Sequence, residues 1–461
     1  MLLSAGLVLT LAVLVQWRKK TWGFPTALTA AGLLSAFALW QWYEPSSERL
    51  KDPTWLFPWF RQTAHTSGWL FVICFAFLGG LVALGYGAKS AEEKEVRAQT
   101  LLRCCLGAFL LTSGNHFLLI GLGWFLCIKP WSRAIQATLP TSKQQVYFQA
   151  TFIGEWIVLS LLFIALVLLG LQYGTLNLVD LGDRIRSDAA APDFWLYVSM
   201  ALLVCSVGTH LAVLPFQVLS ATRIRESENG LQAFSALFMF LSTCGFAWNL
   251  FGRTLAEPLK QWEGFLFILG MVSIVGGGCW LLVVRRTNEL LLASLTILGG
   301  WLLLLWTEIE HLDTEAIALF LVSSHATAYV AVLFGMVLLE KNGGRDGGAL
   351  KQGWVWNRPF LGFAVLSGIA SLADLPPLWG FASKLALATQ MGPAIGLASV
   401  FLVLGASALA AYSWLRHASP WIAAPSPLPW VEPVTWQAIL FVTLAVVLWV
   451  VGLVPLSAWT G

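Results

Sequence analysis

Apolar runs of about 20 residues recur along the whole chain, separated by short polar links, and each is long enough to cross a bilayer core as a helix. Of the 461 residues, 58% are hydrophobic and only 11% are charged. A soluble domain carries about 25% charged residues, so this chain cannot clothe a water-facing surface. A soluble enzyme, a nucleic-acid binder and a disordered scaffold are excluded together. The formal net charge of +3 is also too small for a polyanion-binding face, and no nucleic-acid partner is expected. What remains is an all-α polytopic membrane protein. A barrel is excluded because the runs show no alternation of apolar and polar residues. The 25 Trp suit this class, since indole favours the membrane interface, although that preference does not account for so many.

The runs fall at 2–17, 24–43, 68–88, 99–114, 116–131, 147–171, 193–219, 231–252, 263–283, 290–307, 314–339, 359–388, 392–414 and 435–456, which predicts 14 spans. The fourth and fifth are short and share a tight Asn115-His116 turn. Basic residues test the count. With Arg103 and Lys129, near the cytoplasmic ends of spans four and five, counted with the adjoining links, links after odd-numbered spans carry 19 Lys and Arg and links after even-numbered spans carry 7, while Lys384 lies deep inside a span. The positive-inside rule therefore puts the odd links in the cytoplasm and both termini outside, in a cell's inner (cytoplasmic) membrane. The link around Glu308, Glu310, Asp313 and Glu315 has acids and no Lys or Arg, as an outer link should. At the start of the chain the apolar run precedes Arg18, Lys19 and Lys20, the reverse of a signal peptide, so a retained first span is expected. The longest link, about 44–67, contains the aromatic stretch Trp55-Leu56-Phe57-Pro58-Trp59-Phe60, expected at the interface. No link is long enough for an extramembrane domain. Residues 1–461 form one transmembrane domain, and any aqueous chemistry belongs to partners.

The seven cysteines form neither a CxxC pair nor a Cys/His cluster with metal spacing, so free thiols among helices are expected, with no cofactor or metal on this chain. Ionisable groups in mid-span are costly and mark functional candidates. They are Lys384 in span twelve, His210 in span seven, Glu155 in span six and His325 in span eleven, with Asp374 just before Pro376-Pro377. Each also has a plain role: a snorkelling lysine, a packing histidine, an interfacial acid, a satisfied core histidine and, for Asp374, a helix cap.

Pro215 lies in span seven, and Pro376 and Pro377 lie in span twelve. Proline removes an intrahelical hydrogen bond, and in a bilayer the freed carbonyls need polar partners. Breaks at matching places point to two inverted five-helix repeats, spans 4–8 and 9–13, that handle ions at the breaks. The first repeat would occupy 99–252 and the second 263–414, with peripheral spans in 1–98 and a final span at 435–456. Ordinary proline kinks are the plain alternative.

These residues carry a resemblance. Leu375-Pro376-Pro377-Leu378-Trp379-Gly380-Phe381-Ala382-Ser383-Lys384 is similar to the G-I-P-P-x-x-G-F-x-x-K of the broken twelfth helix in antiporter-like membrane subunits of respiratory complex I and of Mrp-type cation/proton antiporters, with Asp374 in place of the leading glycine. His210-Leu211-Ala212-Val213-Leu214-Pro215-Phe216-Gln217 resembles the family's seventh-helix K-x-x-x-x-P-F-H, and 286–294 resembles its R-Q-x-N-I-K-R-L-L-A-Y-S region, shortened by two residues. The resemblance extends over about 68–415 and is closest to NADH-quinone oxidoreductase subunit N. It implies a proton-moving membrane subunit, with a glutamate in the fifth helix and lysines in the seventh, eighth and twelfth forming a buried titratable line. It also implies other membrane subunits as partners, protons or Na+ as the transported ion, and no redox catalysis on this chain.

The departures lie in the first half. Lys384 keeps the twelfth-helix lysine, whereas His210 replaces the seventh-helix lysine. Trp124 and Phe240 align with the fifth-helix glutamate and the eighth-helix lysine, and Gly299 with a tenth-helix histidine. His210 can relay protons, and Glu155 can replace the lost acid if its span turns it inward. Three functions stay open: a proton-translocating subunit of an NADH-quinone oxidoreductase-like complex, the membrane part of a cation/proton antiporter or an inorganic-carbon uptake complex, and a non-conducting scaffold.

Overall fold

In a computed structural model, the described residues are 64–88, 90–138, 141–187, 194–217, 230–307, 314–341, 354–390, 392–423 and 435–454. The expected spans at 2–17 and 24–43, and the aromatic stretch at 55–60, lie outside them. Among the described residues there is no strand, only an isolated bridge between His116 and Asn177. Helices are what an apolar solvent demands, because each backbone N–H and C=O must be satisfied within its own segment.

The helices are α1 (Ala64–Gly87), α2 (Ala91–Ser113), α3 (Phe117–Thr138), α4 (Thr141–Tyr173), α5 (Leu178–Ser187), α6 (Phe194–His210), α7 (Gly230–Asn249), α8 (Ala256–Lys260), α9 (Glu263–Val283), α10 (Thr287–Thr307), α11 (Thr314–Lys341), α12 (Trp354–Asn357), α13 (Pro359–Leu372), α14 (Trp379–Gln390), α15 (Gly392–Ile422) and α16 (Thr435–Leu453). A π-turn, Leu250–Thr254, extends α7. Among the described residues, six helical stretches are long and apolar enough to cross a membrane: Thr66–Gly85, Ile153–Tyr173, Gly230–Thr254, Glu263–Val283, Thr287–Thr307 and Thr314–Val337. Shorter apolar helices are Phe117–Ser132, Phe194–His210, Pro359–Leu372 and Ile439–Leu453. The chain is a multi-pass membrane protein.

Span counting does not anticipate α5. It buries Leu178, Leu181 and Ile185 along one stripe, with Asp180 in its first turn and Arg184 and Arg186 in its last, the polarity a helix dipole favours.

The chain divides into two compact units. The first takes residues up to Glu226 and Phe238–Phe265; the second takes Ser227–Leu237 and Leu266 onward. In the first, α2 and α3 cross at Gly107 and Gly123. A Cβ on Gly107 would stand 2.6 Å from the Cys127 nitrogen, so only glycine permits this approach. Beside it, the Cys104 and Cys127 thiols each donate to the other's carbonyl, at 3.4 and 3.5 Å. The Asn115-His116 turn is anchored to α5, whose Leu178 N–H donates to the Asn115 carbonyl at 2.8 Å and whose Val179 N–H donates to Asn115 Oδ1 at 3.2 Å. Asn249 Nδ2 donates to the Thr112 carbonyl at 2.6 Å and fixes the end of α7 to α2.

In the second unit, α10 and α11 form the core, 94% and 89% buried over their apolar stretches, whereas α9 is 44% buried and faces outward. Gly270 and Gly300 let α9 and α10 touch backbone to backbone. The buried Tyr329 hydroxyl of α11 donates to the Ala233 carbonyl of α7 at 2.9 Å. α16 lies against α13 and α14, with Trp449 Nε1 donating to Ser367 Oγ at 3.1 Å.

Candidate functional site

The helix that begins at Pro359 stops at Leu372 and resumes at Trp379. Between them the chain turns at Asp374, whose φ of 56° lies in the left-handed region, and passes through the cis Pro376-Pro377 bond. The interruption keeps its backbone satisfied. The Ala373 and Leu375 N–H groups donate to the carbonyls of Ile369 and Ala370, and the Leu378 N–H donates to Leu375. The first turn of α14 is capped across the gap, where the Gly380 N–H donates to Ser371 Oγ at 3.0 Å. A Cβ on Gly380 would lie 1.9 Å from the Ser371 carbonyl oxygen, so the sequence needs glycine there.

The turn at Asp374 folds its side chain back toward α14, where Lys384 Nζ donates to its Oδ2. Both groups are buried, with side-chain exposures of 2% for Lys384 and 0% for Asp374. This corrects the expectation for Asp374, which is not a cap but the partner of the mid-span cation. Lys384 is neither snorkelling to the surface nor isolated. Ser383 donates to the Gly380 carbonyl at 2.8 Å and shares a 3.1 Å hydroxyl contact with Ser324 of α11. That contact brings the next residue of α11, the buried His325, within electrostatic reach of Lys384. The second unit thus gathers a carboxylate, an ammonium and an imidazole at one helix break. The sequence places Asp374 beside the break but does not show its pairing with Lys384. Its signal was an acid standing within an apolar span ten residues before the lone mid-span base.

The other break has the same local build. Ala212, with φ 53°, corresponds to Asp374, and the cis Leu214-Pro215 bond corresponds to Pro376-Pro377. The Leu211 and Val213 N–H groups donate to Val207 and Gly208, the same pattern of bonds as in the second break. The chemistry differs. His210 ends α6, buried, with its ring 4.9 Å from that of Trp124 in an edge contact, and Trp124 in turn meets Phe246 at 6.0 Å. Glu155 is turned inward on α4, where Ser132 Oγ donates to its Oε2 at 3.1 Å. The neighbouring helix α6 is tied to α4 by Ser206 Oγ donating to the Val158 carbonyl at 3.1 Å. Phe240 is fully buried. Among the described residues no group of three or more His, Cys, Asp or Glu could hold a metal ion.

The multi-pass helical fold is shared with chains of solved membrane complexes. The chain superposes with a TM-score of 0.72 on a chain of respiratory complex I from Thermus thermophilus, at 21% identity, covering 98% of this chain and 97% of that one. On a chain of the Mrp complex from Dietzia sp. the TM-score is 0.76, at 15% identity, with 98% and 93% covered. The chain therefore shares its fold with these two chains.

In sequence the chain is similar to NADH-quinone oxidoreductase subunit N of Nitrosomonas europaea, 22% identical over 318 residues, 68% of this chain and 64% of that protein. It is likewise similar to NAD(P)H-quinone oxidoreductase subunit 2 of Gloeobacter violaceus, 23% identical over 415 residues, 89% of this chain and 78% of that one. The match to the Nitrosomonas protein spans less than two thirds of its length. No protein-family model matches the chain.

Proposed function

We propose that this chain is a proton-translocating membrane subunit of an NADH-quinone oxidoreductase-like complex, with Lys384 as its principal proton-exchange group. The observation that carries this is the burial of Lys384 at a helix break, paired to Asp374 and within reach of His325. A charge in a bilayer core is costly and is kept where it serves transport. A break there frees backbone carbonyls and admits water. His325 is the next carrier from Lys384. His210 and Glu155 are secondary proton-transfer groups of the first unit, where Trp124 and Phe240 carry no proton. That aromatic filling favours a division of labour in which the second unit conducts and the first conducts poorly or not at all.

The assembly assigned follows the sequence relatives. The likeness to the Mrp chain speaks to fold alone, and a cation/proton antiporter or an inorganic-carbon uptake complex is the second assignment. The proposed architecture is 14 spans with both termini outside the cytoplasm of an inner membrane. Residues 99–252 and 263–414 form inverted repeats, broken at Pro215 and at Pro376-Pro377. The matched build of the two breaks supports the repeats, and the split of Lys and Arg supports the topology. Other membrane subunits are the partners.

The test is proton flux through vesicles containing the complex that co-purifies with the chain in mild detergent. Lys384→Met alone strands a buried carboxylate, so it is paired with Lys384→Met/Asp374→Asn, which removes both charges. Both variants should assemble weakly or well but carry no flux through this subunit. Normal flux in either assembled variant sinks the proposal.

A further inference from the structure

We infer that Asp374 is a built-in counter-ion for Lys384, a positioning residue that holds the ammonium at the helix break and must release it for each proton exchanged. This rests on the reading that Lys384 moves protons. Two observations carry it. First, the turn does not require an acid: the matching position of the other break has the same left-handed φ and is filled by Ala212. Aspartate is merely tolerated there, so its carboxylate is present for what it contacts. Second, what it contacts is the buried Lys384, with no exposed surface on the acid and almost none on the base. The same carboxylate is also faced by Ser407 of α15.

α11 presents His325 to the pair, whereas α13 and α16 contain no titratable side chain. In the exchange, one Nζ–H bond of the ammonium breaks and the proton passes to an imidazole nitrogen of His325 or to water. Lys384 becomes a neutral amine, and the Asp374 carboxylate is left without its cation. Reprotonation of Nζ from the opposite side restores the pair. Asp374 therefore favours the loaded state and supplies the return force.

The experiment uses the co-purifying complex in phosphatidylcholine vesicles with a trapped pH-sensitive dye and an imposed pH gradient. Asp374→Asn should lower proton flux about tenfold or more at unchanged assembly, and Asp374→Glu should restore most of it. Infrared difference spectra of the wild-type complex during flux should contain a carboxylate band that shifts on labelling with carbon-13 aspartate and vanishes in Asp374→Asn. If Asp374→Asn does not assemble, the wild-type spectrum decides. Wild-type flux in Asp374→Asn, or the absence of an aspartate band, overturns the counter-ion role. Should Lys384→Met conduct normally, the underlying assignment of Lys384 fails instead. Should Lys384→Met lose flux while Asp374→Asn keeps it, the assignment stands and this inference falls.

Discussion

Ala212 and Asp374 hold the same left-handed backbone conformation, φ 53° and 56°, at corresponding points of two helix breaks with matching hydrogen bonds. One break carries a methyl group there and the other a carboxylate, so a shared backbone device has been given charge on one side only. Left-handed φ costs a non-glycine residue about 1–2 kcal/mol. Breaking a buried ion pair by removing one partner costs about 3–5 kcal/mol. Asp374→Gly relieves the first and incurs the second, so it should destabilise the protein by about 1–4 kcal/mol. Asp374→Gly/Lys384→Met should recover most of that loss. Thermal unfolding in detergent, followed by tryptophan fluorescence, measures both. A double variant no more stable than Asp374→Gly contradicts the pairing.

Gly380→Ala should be severe. Its Cβ would stand 1.9 Å from the Ser371 carbonyl oxygen, an unyielding backbone atom, and relief requires the two halves of the broken helix to part. The expected cost is about 3 kcal/mol or more. Gly452→Ala presses on the same break from α16, 2.2 Å from the Pro377 carbonyl oxygen, and should behave alike. Gly405→Ala is the control: nothing lies within 4 Å of its Cβ, so it should be neutral or slightly stabilising. Yields of monodisperse protein in detergent rank the three, and equal yields would refute the close packing.

The break itself was legible, because two adjacent prolines in an apolar run leave a helix no way to continue, and Lys384 stood out as the one lysine deep inside a span. The partner was not legible. Whether Asp374 caps one half-helix or reaches back to the other depends on the left-handed turn at its own Cα, which no periodicity encodes. Glu155 posed a similar difficulty. α4 is apolar nearly all round, so its sequence does not say which face turns inward, and only the bond from Ser132 decides it. α5 was hidden for another reason: its stripe is short and polar residues outnumber apolar ones, so a search for membrane spans passes over it. The Asn115-His116 turn was visible locally, whereas its anchor, the Val179 N–H, lies 64 residues away.

Topology is tested by fusion. Reporters placed after Gly461 and within 341–351 should report opposite compartments, with the inner link cytoplasmic. The motive is the excess of Lys and Arg in links after odd-numbered spans, Lys341, Arg345, Lys351 and Arg358 among them. The same compartment for both would mean a span miscounted between them.

The last expectation concerns the first unit. His210 is buried, with its ring edge-on to Trp124, which is itself buried and packed against Phe246, and Phe240 lies fully inside the same unit. Indole and phenyl rings do not titrate in the physiological range, and a histidine edge-on to Trp124 gains aromatic packing of about 0.5–1.5 kcal/mol. His210→Phe keeps that contact and deletes the titratable nitrogen. It should leave stability nearly unchanged and reduce proton flux less than twofold, a far smaller effect than loss of the Lys384 amine. Trp124→Ala, by contrast, should cost about 3–5 kcal/mol by opening a cavity, with flux per assembled complex little altered. Flux assays normalised to assembled complex separate the two quantities. If His210→Phe abolishes flux as completely as Lys384→Met does, protons cross the first unit as well, and the division of labour between the two breaks is wrong.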